Sequence, residues 1–233
     1  MSAVQTARTA GLALLASIGV GIVTAIFVAK GIDINLNSNV EATAQAMLEA
    51  EQRLKAKSYI DLLTFALEVL FSLAMFQLVK THGRLLAGWS LLTGLAASVL
   101  VLMGAVFSMN AAQIAGNTFY QQENFNNVRL LVTSLQATSD YTSFHLSLVL
   151  SSAAKAGFFY LLFIARLIPR LLSGWGVFAS LLVASVVVSR DFMPVLGSDI
   201  VTAAFILSNL IALLATGLYL SIRGIPLPAQ GNG

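Results

Sequence analysis

Six apolar runs, each close to the 20 residues that a helix needs to cross about 30 Å of hydrocarbon, constrain this chain more than any other feature. Only 10% of the 233 residues are charged and 58% are hydrophobic, whereas a water-soluble domain carries about 25% charged residues. The sequence therefore predicts an all-α integral membrane protein with six transmembrane helices in one membrane domain, residues 1–233. The predicted spans are residues 10–29, 60–79, 85–108, 144–164, 171–188 and 200–222.

The composition also excludes several kinds of protein and site. The absence of cysteine excludes disulfide scaffolds and Cys-ligated zinc or iron–sulfur sites. The basic residues are scattered, so the net charge of +3 does not indicate nucleic-acid binding. No HExxH, GxSxG, P-loop or GxGxxG pattern occurs. We therefore expect no metal and no cofactor, and a non-enzymatic function is favoured.

The distribution of charge predicts the orientation. With six spans, both termini share a side with the connections after the second and fourth spans. That side carries six basic and no acidic residues, and the opposite side carries six basic and eight acidic residues. Because basic residues in short loops favour the cytoplasm, we expect both termini to be cytoplasmic. The six basic residues are Arg8, Lys80, Arg84, Arg166, Arg170 and Arg223.

Two long connections, residues 31–59 and 109–143, are predicted on the outer side. Residues 39–57 alternate apolar and polar side chains at helical spacing, which predicts one amphipathic helix on the membrane surface or over the spans. Residues 125–137 are a less regular counterpart. A surface helix without a ligand and a cap over a binding site both remain open.

An internal repeat is visible at an offset of 86 residues. Residues 83–102 and 169–188 are identical at seven of twenty positions, and five of these lie in the hexamer Arg-Leu-Leu-x-Gly-Trp. The hexamers contain both tryptophans of the chain. Spans 2–3 and 4–5 are therefore predicted to be two parallel helix-hairpin repeats, related by an axis along the membrane normal.

The two hexamers allow two interpretations. Binding sites are often found at repeat interfaces. The simpler explanation is interfacial anchoring, in which arginine extends to lipid headgroups and tryptophan lies in the aromatic belt. The predicted anchors are Arg84, Trp89, Arg170 and Trp175.

Three charged residues fall inside predicted spans: Asp61, Glu68 and Lys155. Each costs about 2.5–3.5 kcal/mol at a helix centre, so each is expected to face other helices and a partner. Counted from the outer span ends, Glu68 lies about 13 Å deep and Lys155 about 17 Å. Residue 154 is the repeat equivalent of Glu68, so we expect Glu68 and Lys155 to pair.

The same reasoning places Asp61 beside His145 near the outer ends, which gives a predicted interior polar column of four residues with Glu68 and Lys155. One interpretation is ligand binding, of a proton, an ion or an amphiphile. The other is a buried ion pair that fixes the helix register. The other charged residues, Lys57 and Asp140 among them, are assigned to connections and span ends, where they set the topology.

Small residues recur at a spacing of four in the first and last spans. They predict thin helix faces for close packing within the chain, with a homodimer or a larger membrane complex as the alternative. The residues are Ala13, Ser17, Gly21, Ala25 and Ala29 in the first span, and Ala204, Ser208, Ala212 and Thr216 in the last.

Four short stretches resemble a bacterial membrane family catalogued as domain of unknown function 4386, over residues 7–220. They are Ala-Arg-Thr-Ala-Gly at 7–11, Asp-Leu-Leu at 61–63, Phe-His-Leu at 144–146 and Pro-Arg-Leu-Leu-x-Gly-x-Gly at 169–176. The arginine that members typically have near residues 94–97 is missing. The resemblance implies a multi-pass inner-membrane protein, and it implies no activity.

Three hypotheses about the function therefore remain open. The first is binding or transport of a lipid or small molecule in a polar cavity between the repeats. The second is an accessory subunit of a membrane complex. The third is an intramembrane enzyme that uses Ser151 or His145 with a neighbouring base.

Overall fold

The computed structural model describes residues 2–33, 39–118 and 126–225. Within these ranges the chain forms helices and turns and has no strands. A π-helical turn, Thr24–Val28, follows α1, and 3₁₀ turns occur at Lys80–His82 and Pro194–Gly197. The α-helices are α1 (Ala3–Val23), α2 (Val40–Leu48), α3 (Glu51–Val79), α4 (Arg84–Gly116), α5 (Asn126–Ala165), α6 (Arg170–Arg190) and α7 (Asp199–Ile222).

Six helices of the described chain are long and apolar enough to cross a membrane, and α2 is not among them. This confirms the predicted all-α membrane fold with six spanning helices. The connections after α3 and α5 contain residues that interrupt a helix. Gly83 precedes α4 and Pro169 precedes α6, and the backbone at Arg166 is left-handed, with φ 54°.

Helices α3, α4 and α5 extend furthest beyond the predicted spans. Helix α3 begins nine residues before residue 60, α4 ends eight residues after residue 108, and α5 begins eighteen residues before residue 144. The single amphipathic helix predicted over residues 39–57 is wrong. The chain turns at Glu49, whose N–H donates to Ala46 O, and residues 51–57 are the start of α3. Residues 126–137 are likewise the start of α5, and residue 125 lies outside the described residues.

The chain divides into two compact units, each with its own core. The first comprises Met1–Ile18, Leu67–Ser98 and Leu148–Gly233, and the second comprises Gly19–Ala66 and Val99–Ser147. The single membrane domain stays a prediction.

The core of the first unit is built from α1, α3, α5 and α7. Phe71 of α3 meets Phe158 of α5 edge to face, with ring centroids 6.4 Å apart. Leu14 and Leu220 are almost fully buried in the same cluster. Helices α1 and α7 touch backbone to backbone, because a Cβ on Gly11 would lie 2.5 Å from the Ser221 nitrogen and 2.7 Å from the Gly217 oxygen. This approach is closer than any larger residue allows.

The repeated segments begin α4 and α6 at equivalent residues, Arg84 and Arg170. Nine consecutive positions, 84–92 and 170–178, also share one pattern of exposed, half-buried and buried side chains. The match covers the hexamer and the residues after it. The shared pattern covers the first two turns of both helices, and the pair of helix-hairpin repeats stays a prediction.

In the second unit, α2 packs with the start of α3, the end of α4 and the start of α5. Met47 and Leu54 pack in its apolar cluster with Ala111, Ala112 and Ala137. Arg53 donates a hydrogen bond of 2.7 Å to Val28 O after the π-helical turn, and it also donates to Lys30 O. Carbonyl groups at helix ends lack intrahelical partners, so this arginine satisfies acceptors that would otherwise depend on water.

Candidate functional site

Three helices of the first unit meet at a polar trio formed by Ser17 of α1, Glu68 of α3 and Lys155 of α5. The Lys155 Nζ lies 3.9 Å from Glu68 Oε2. The Ser17 hydroxyl donates a hydrogen bond of 2.8 Å to Glu68 Oε1. Both carboxylate oxygens are therefore engaged, one by a cation and one by a hydroxyl. The trio carries no net charge and ties α1, α3 and α5 together.

The second unit holds a more deeply buried polar group around Lys57, whose exposed fraction is 6%. Its Nζ lies 2.9 Å from Asp140 Oδ2, 3.1 Å from Asp61 Oδ2 and 3.2 Å from Ser108 Oγ. An ammonium group has three N–H donors. Each donor therefore has one acceptor, and the Lys57 side chain is fully hydrogen-bonded inside the protein.

The surroundings of Asp140 fix the geometry of this Lys57 cluster. The Ser108 hydroxyl donates to Asp140 Oδ2 at 3.3 Å. A Cβ on Gly104 would lie 2.5 Å from Asp140 Oδ1, so only glycine leaves room for the carboxylate. With one ammonium and two carboxylates, the group of Lys57, Asp61 and Asp140 has a formal charge of −1. Its hydrogen bonds hold α3, α4 and α5 together.

The predicted site residues thus belong to two groups. Glu68 and Lys155 lie together in the first unit, and Asp61 and His145 belong to the second. The ion pair of Asp61 is with Lys57, and the His145 ring lies 5.7 Å from the Tyr141 ring between centroids. The four-residue column stays a prediction.

Lys57 and Asp140 are functional candidates that sequence reasoning assigned to the connections. That assignment was wrong, because both lie within long helices and are buried. The spacing of Lys57 and Asp61 was a usable signal, since residues four apart on a helix face each other.

A groove of about 890 Å³ lies in the first unit between α1, the end of α3 and the turn after α5. Along α3 and the 3₁₀ turn after it, the lining changes from Leu70 and Leu73 to a mixed stretch of Gln77, Leu78 and Thr81. At 1.5 Å per residue, this stretch of helix is about 16 Å long. The groove therefore has an apolar end and a polar end.

The polar end is completed by Thr6 of α1, His82 after α3 and Arg166 after α5. No acidic side chain is among the described residues that line the groove. Glu68 and Lys155 do not line it either, and both occur deeper along α3 and α5. The groove was not predicted from the sequence.

The four predicted anchors lie at the starts of α4 and α6. Arg84 and Arg170 are exposed, and the Arg170 guanidinium lies 5.8 Å from the centroid of the Phe163 ring. Trp89 and Trp175 are partly exposed. The Trp175 indole also donates a 3.3 Å hydrogen bond to Ser208 O, so this side chain contributes to packing between α6 and α7.

Groupings suited to metals or nucleophiles are limited in the part of the chain that the structure describes. No group of three histidine or acidic side chains there could hold a metal ion. Ser151 donates its hydroxyl hydrogen bond to Leu148 O, 3.2 Å away on its own helix. This is the usual state of serine in a membrane helix, so the geometry gives Ser151 no support as a nucleophile.

Comparison with known proteins identifies a family whose function is unknown. The family described as "Domain of unknown function (DUF4386)" matches residues 9–224. No curated protein and no solved structure matches the chain.

Proposed function

The chain belongs to the DUF4386 family, and we propose that it is a membrane protein that binds an amphiphilic ligand in the groove of its first unit. The observation that carries this proposal is the change from leucines to polar residues along one continuous groove. An apolar chain would lie against Leu70 and Leu73, and a polar head would lie near Gln77 and Thr81.

The size of the groove supports a ligand larger than water or an ion. Ligand pockets are commonly about 300–1,000 Å³ and mostly apolar, with a few polar groups that orient the ligand. The volume of about 890 Å³ falls in this range. Leu70 and Leu73 are each 44% exposed although they line the groove. Their free surface is available to a hydrocarbon chain.

The predicted topology gives the groove a location. Its polar end adjoins the connection after α3 and the turn after α5, the side on which we expect the chain termini. In the proposed orientation, in a bacterial inner membrane with cytoplasmic termini, the groove opens at the cytoplasmic leaflet. A lipid could then enter laterally from that leaflet.

The polar trio has a positioning role in this proposal. Ser17 lies eight residues beyond Thr9 on α1, and Lys155 lies ten residues before Ala165 on α5. Glu68 lies two residues before Leu70 on α3. On each helix the trio residue is deeper than the groove residue. Its contacts fix the spacing of the three helices that form the walls.

The test is native mass spectrometry of the full chain released from membranes, with retained lipid as the readout. Leu73→Trp fills the apolar end of the groove with a larger side chain, and Leu92→Trp is the matched control because Leu92 is exposed on α4 and does not line the groove. We expect retained lipid in the original chain and in Leu92→Trp, and its loss in Leu73→Trp. Equal lipid retention in both variants, or none in the original chain, would overturn the proposal.

A further inference from the structure

One residue that lines the groove, Arg166, has an unusual backbone conformation. Its φ of 54° places it in the left-handed region, and it is the one non-glycine residue with positive φ in the described chain. Helices often end on a left-handed residue, which is usually glycine because a side chain is strained there. Arginine at this position therefore keeps a strained backbone that glycine would relieve.

The Arg166 side chain lines the groove and is exposed. Within the part of the chain that the structure describes, its guanidinium makes no hydrogen bond or ion pair. Two other arginines of the first unit lie over aromatic rings, Arg170 over Phe163 and Arg223 over Tyr219. The donors of Arg166 are available to a molecule in the groove.

The positive charge of Arg166 indicates that such a molecule would carry an anionic group. A guanidinium has five N–H donors in a planar fork that matches a phosphate or carboxylate in two parallel hydrogen bonds. Because no acidic residue is among the described lining residues, nothing there neutralises Arg166. Thr81, Gln77 and the imidazole of His82 add polar groups to the same lining.

We propose that the groove selects amphiphiles whose phosphate-bearing head has a net negative charge, as in phosphatidylglycerol and unlike the zwitterionic head of phosphatidylcholine, and that Arg166 binds the head. This inference rests on the proposed function and specifies its ligand class. A free anion such as glycerol phosphate shares the head chemistry and lacks the chain that Leu70 and Leu73 would contact. The occupant is therefore a lipid.

The experiment measures binding to the delipidated full chain in a neutral detergent. The probes are phosphatidylglycerol, phosphatidylcholine with the same acyl chains, and glycerol 3-phosphate. Arg166→Gln removes the charge and Arg166→Gly also relieves the strained backbone. Arg84→Gln is the control, because Arg84 is exposed on the same predicted side and does not line the groove.

We expect the original chain and Arg84→Gln to prefer phosphatidylglycerol over phosphatidylcholine by about tenfold, the effect of one charged hydrogen-bonding group. Both Arg166 variants should lose this preference and still bind phosphatidylcholine. Arg166→Gly should also have a higher Tm than the original chain. Glycerol 3-phosphate should bind far more weakly than either lipid.

The contrary outcomes separate this inference from the proposed function. Equal binding of the two lipids by the original chain would overturn the anionic selectivity and leave the groove proposal intact. A preference that survives in Arg166→Gln would show that another group binds the head. Glycerol 3-phosphate binding as tightly as phosphatidylglycerol would exclude a lipid as the specific occupant. If neither lipid binds, both proposals fail.

Discussion

Lys57 Nζ lies 2.9 Å from Asp140 Oδ2, although the two residues are 83 positions apart in the sequence. The exposed fractions are 6% for Lys57 and 8% for Asp140. An ion pair of this kind joins helices only while both partners are present. When one partner is removed, the other is left buried without compensation.

Lys57→Met is expected to lower the free energy of unfolding by about 3–5 kcal/mol, because Asp61 and Asp140 lose their shared cation. Lys55→Met is the control. Lys55 pairs with Glu51 at a side-chain exposure of 38%, so its loss should change the free energy by less than about 1 kcal/mol. Reversible unfolding in detergent micelles measures both. Equal effects of the two substitutions would contradict the structural role of Lys57.

Gly104→Ala tests the space that the Asp140 carboxylate occupies. The new methyl group would lie 2.5 Å from Asp140 Oδ1, so the carboxylate must move away from Lys57. We expect a loss of about 1–3 kcal/mol. Gly88→Ala on the same helix has no atom within 4 Å of the new Cβ and should gain about 0.5–1 kcal/mol from helix propensity. A stable Gly104→Ala variant would contradict the arrangement of the Lys57 cluster.

Gly11→Ala tests the backbone contact between α1 and α7. The methyl group would meet main-chain atoms of Ser221 and Gly217, which cannot rotate away as a side chain can. The thermal midpoint should therefore fall, with a loss of about 1–3 kcal/mol. Gly19→Ala on the same helix meets nothing within 4 Å and should not lower it. If both variants had the same midpoint, close packing at Gly11 would be excluded.

A double-mutant cycle on Glu68→Gln and Lys155→Met tests the polar trio. The side chains are 3.9 Å apart and partly buried, so their separate losses should not add. We expect a coupling energy of about 1 kcal/mol, within the range for residues in contact. Unfolding of the two single variants and the double variant gives this value. Additive losses would show that the pair contributes no joint stabilisation.

The number of spanning helices and the partners Glu68 and Lys155 could be read from the sequence. Apolar runs define spans directly. A charge inside a span needs a partner, and helical rise gives its depth. The offset of 86 residues placed Glu68 opposite a neighbour of Lys155 without further information.

Lys57 and Asp140 could not be placed in the same way. Helix α3 begins at Glu51, well before its apolar run, so hydropathy alone put Lys57 in a connection. Helix α5 similarly begins eighteen residues before the predicted span and includes Asp140. The helical propensity of these polar segments extends helices beyond the bilayer length, and an apolar window does not detect this.

The small-residue stripes predicted close helix packing, but they did not identify the residues at which two backbones meet. A spacing of four exceeds the helical period of 3.6 residues, so the stripe turns by about 40° at each step. Ala13 and Ser17 are buried, whereas Gly21 is exposed. Close contact is made instead by Gly11 with Gly217. The groove was missed because its walls come from three separate stretches of chain, the start of α1, the end of α3 and the turn after α5, which spacing within one helix does not bring together. The backbone angle of Arg166 is likewise not a property of the sequence pattern.

The contact between Gly11 and Gly217 can form only after the ribosome has made both α1 and α7. The two glycines are 206 residues apart (217 − 11), so at about 5–20 residues per second the ribosome needs roughly 10–40 s to make the second after the first. Throughout that interval, the face of α1 that carries Gly11 has no α7 to cover it. Helix α7 therefore completes the packing surface of α1 long after α1 is made, and a ribosome that stalls before α7 leaves an unfinished product with that face of α1 uncovered.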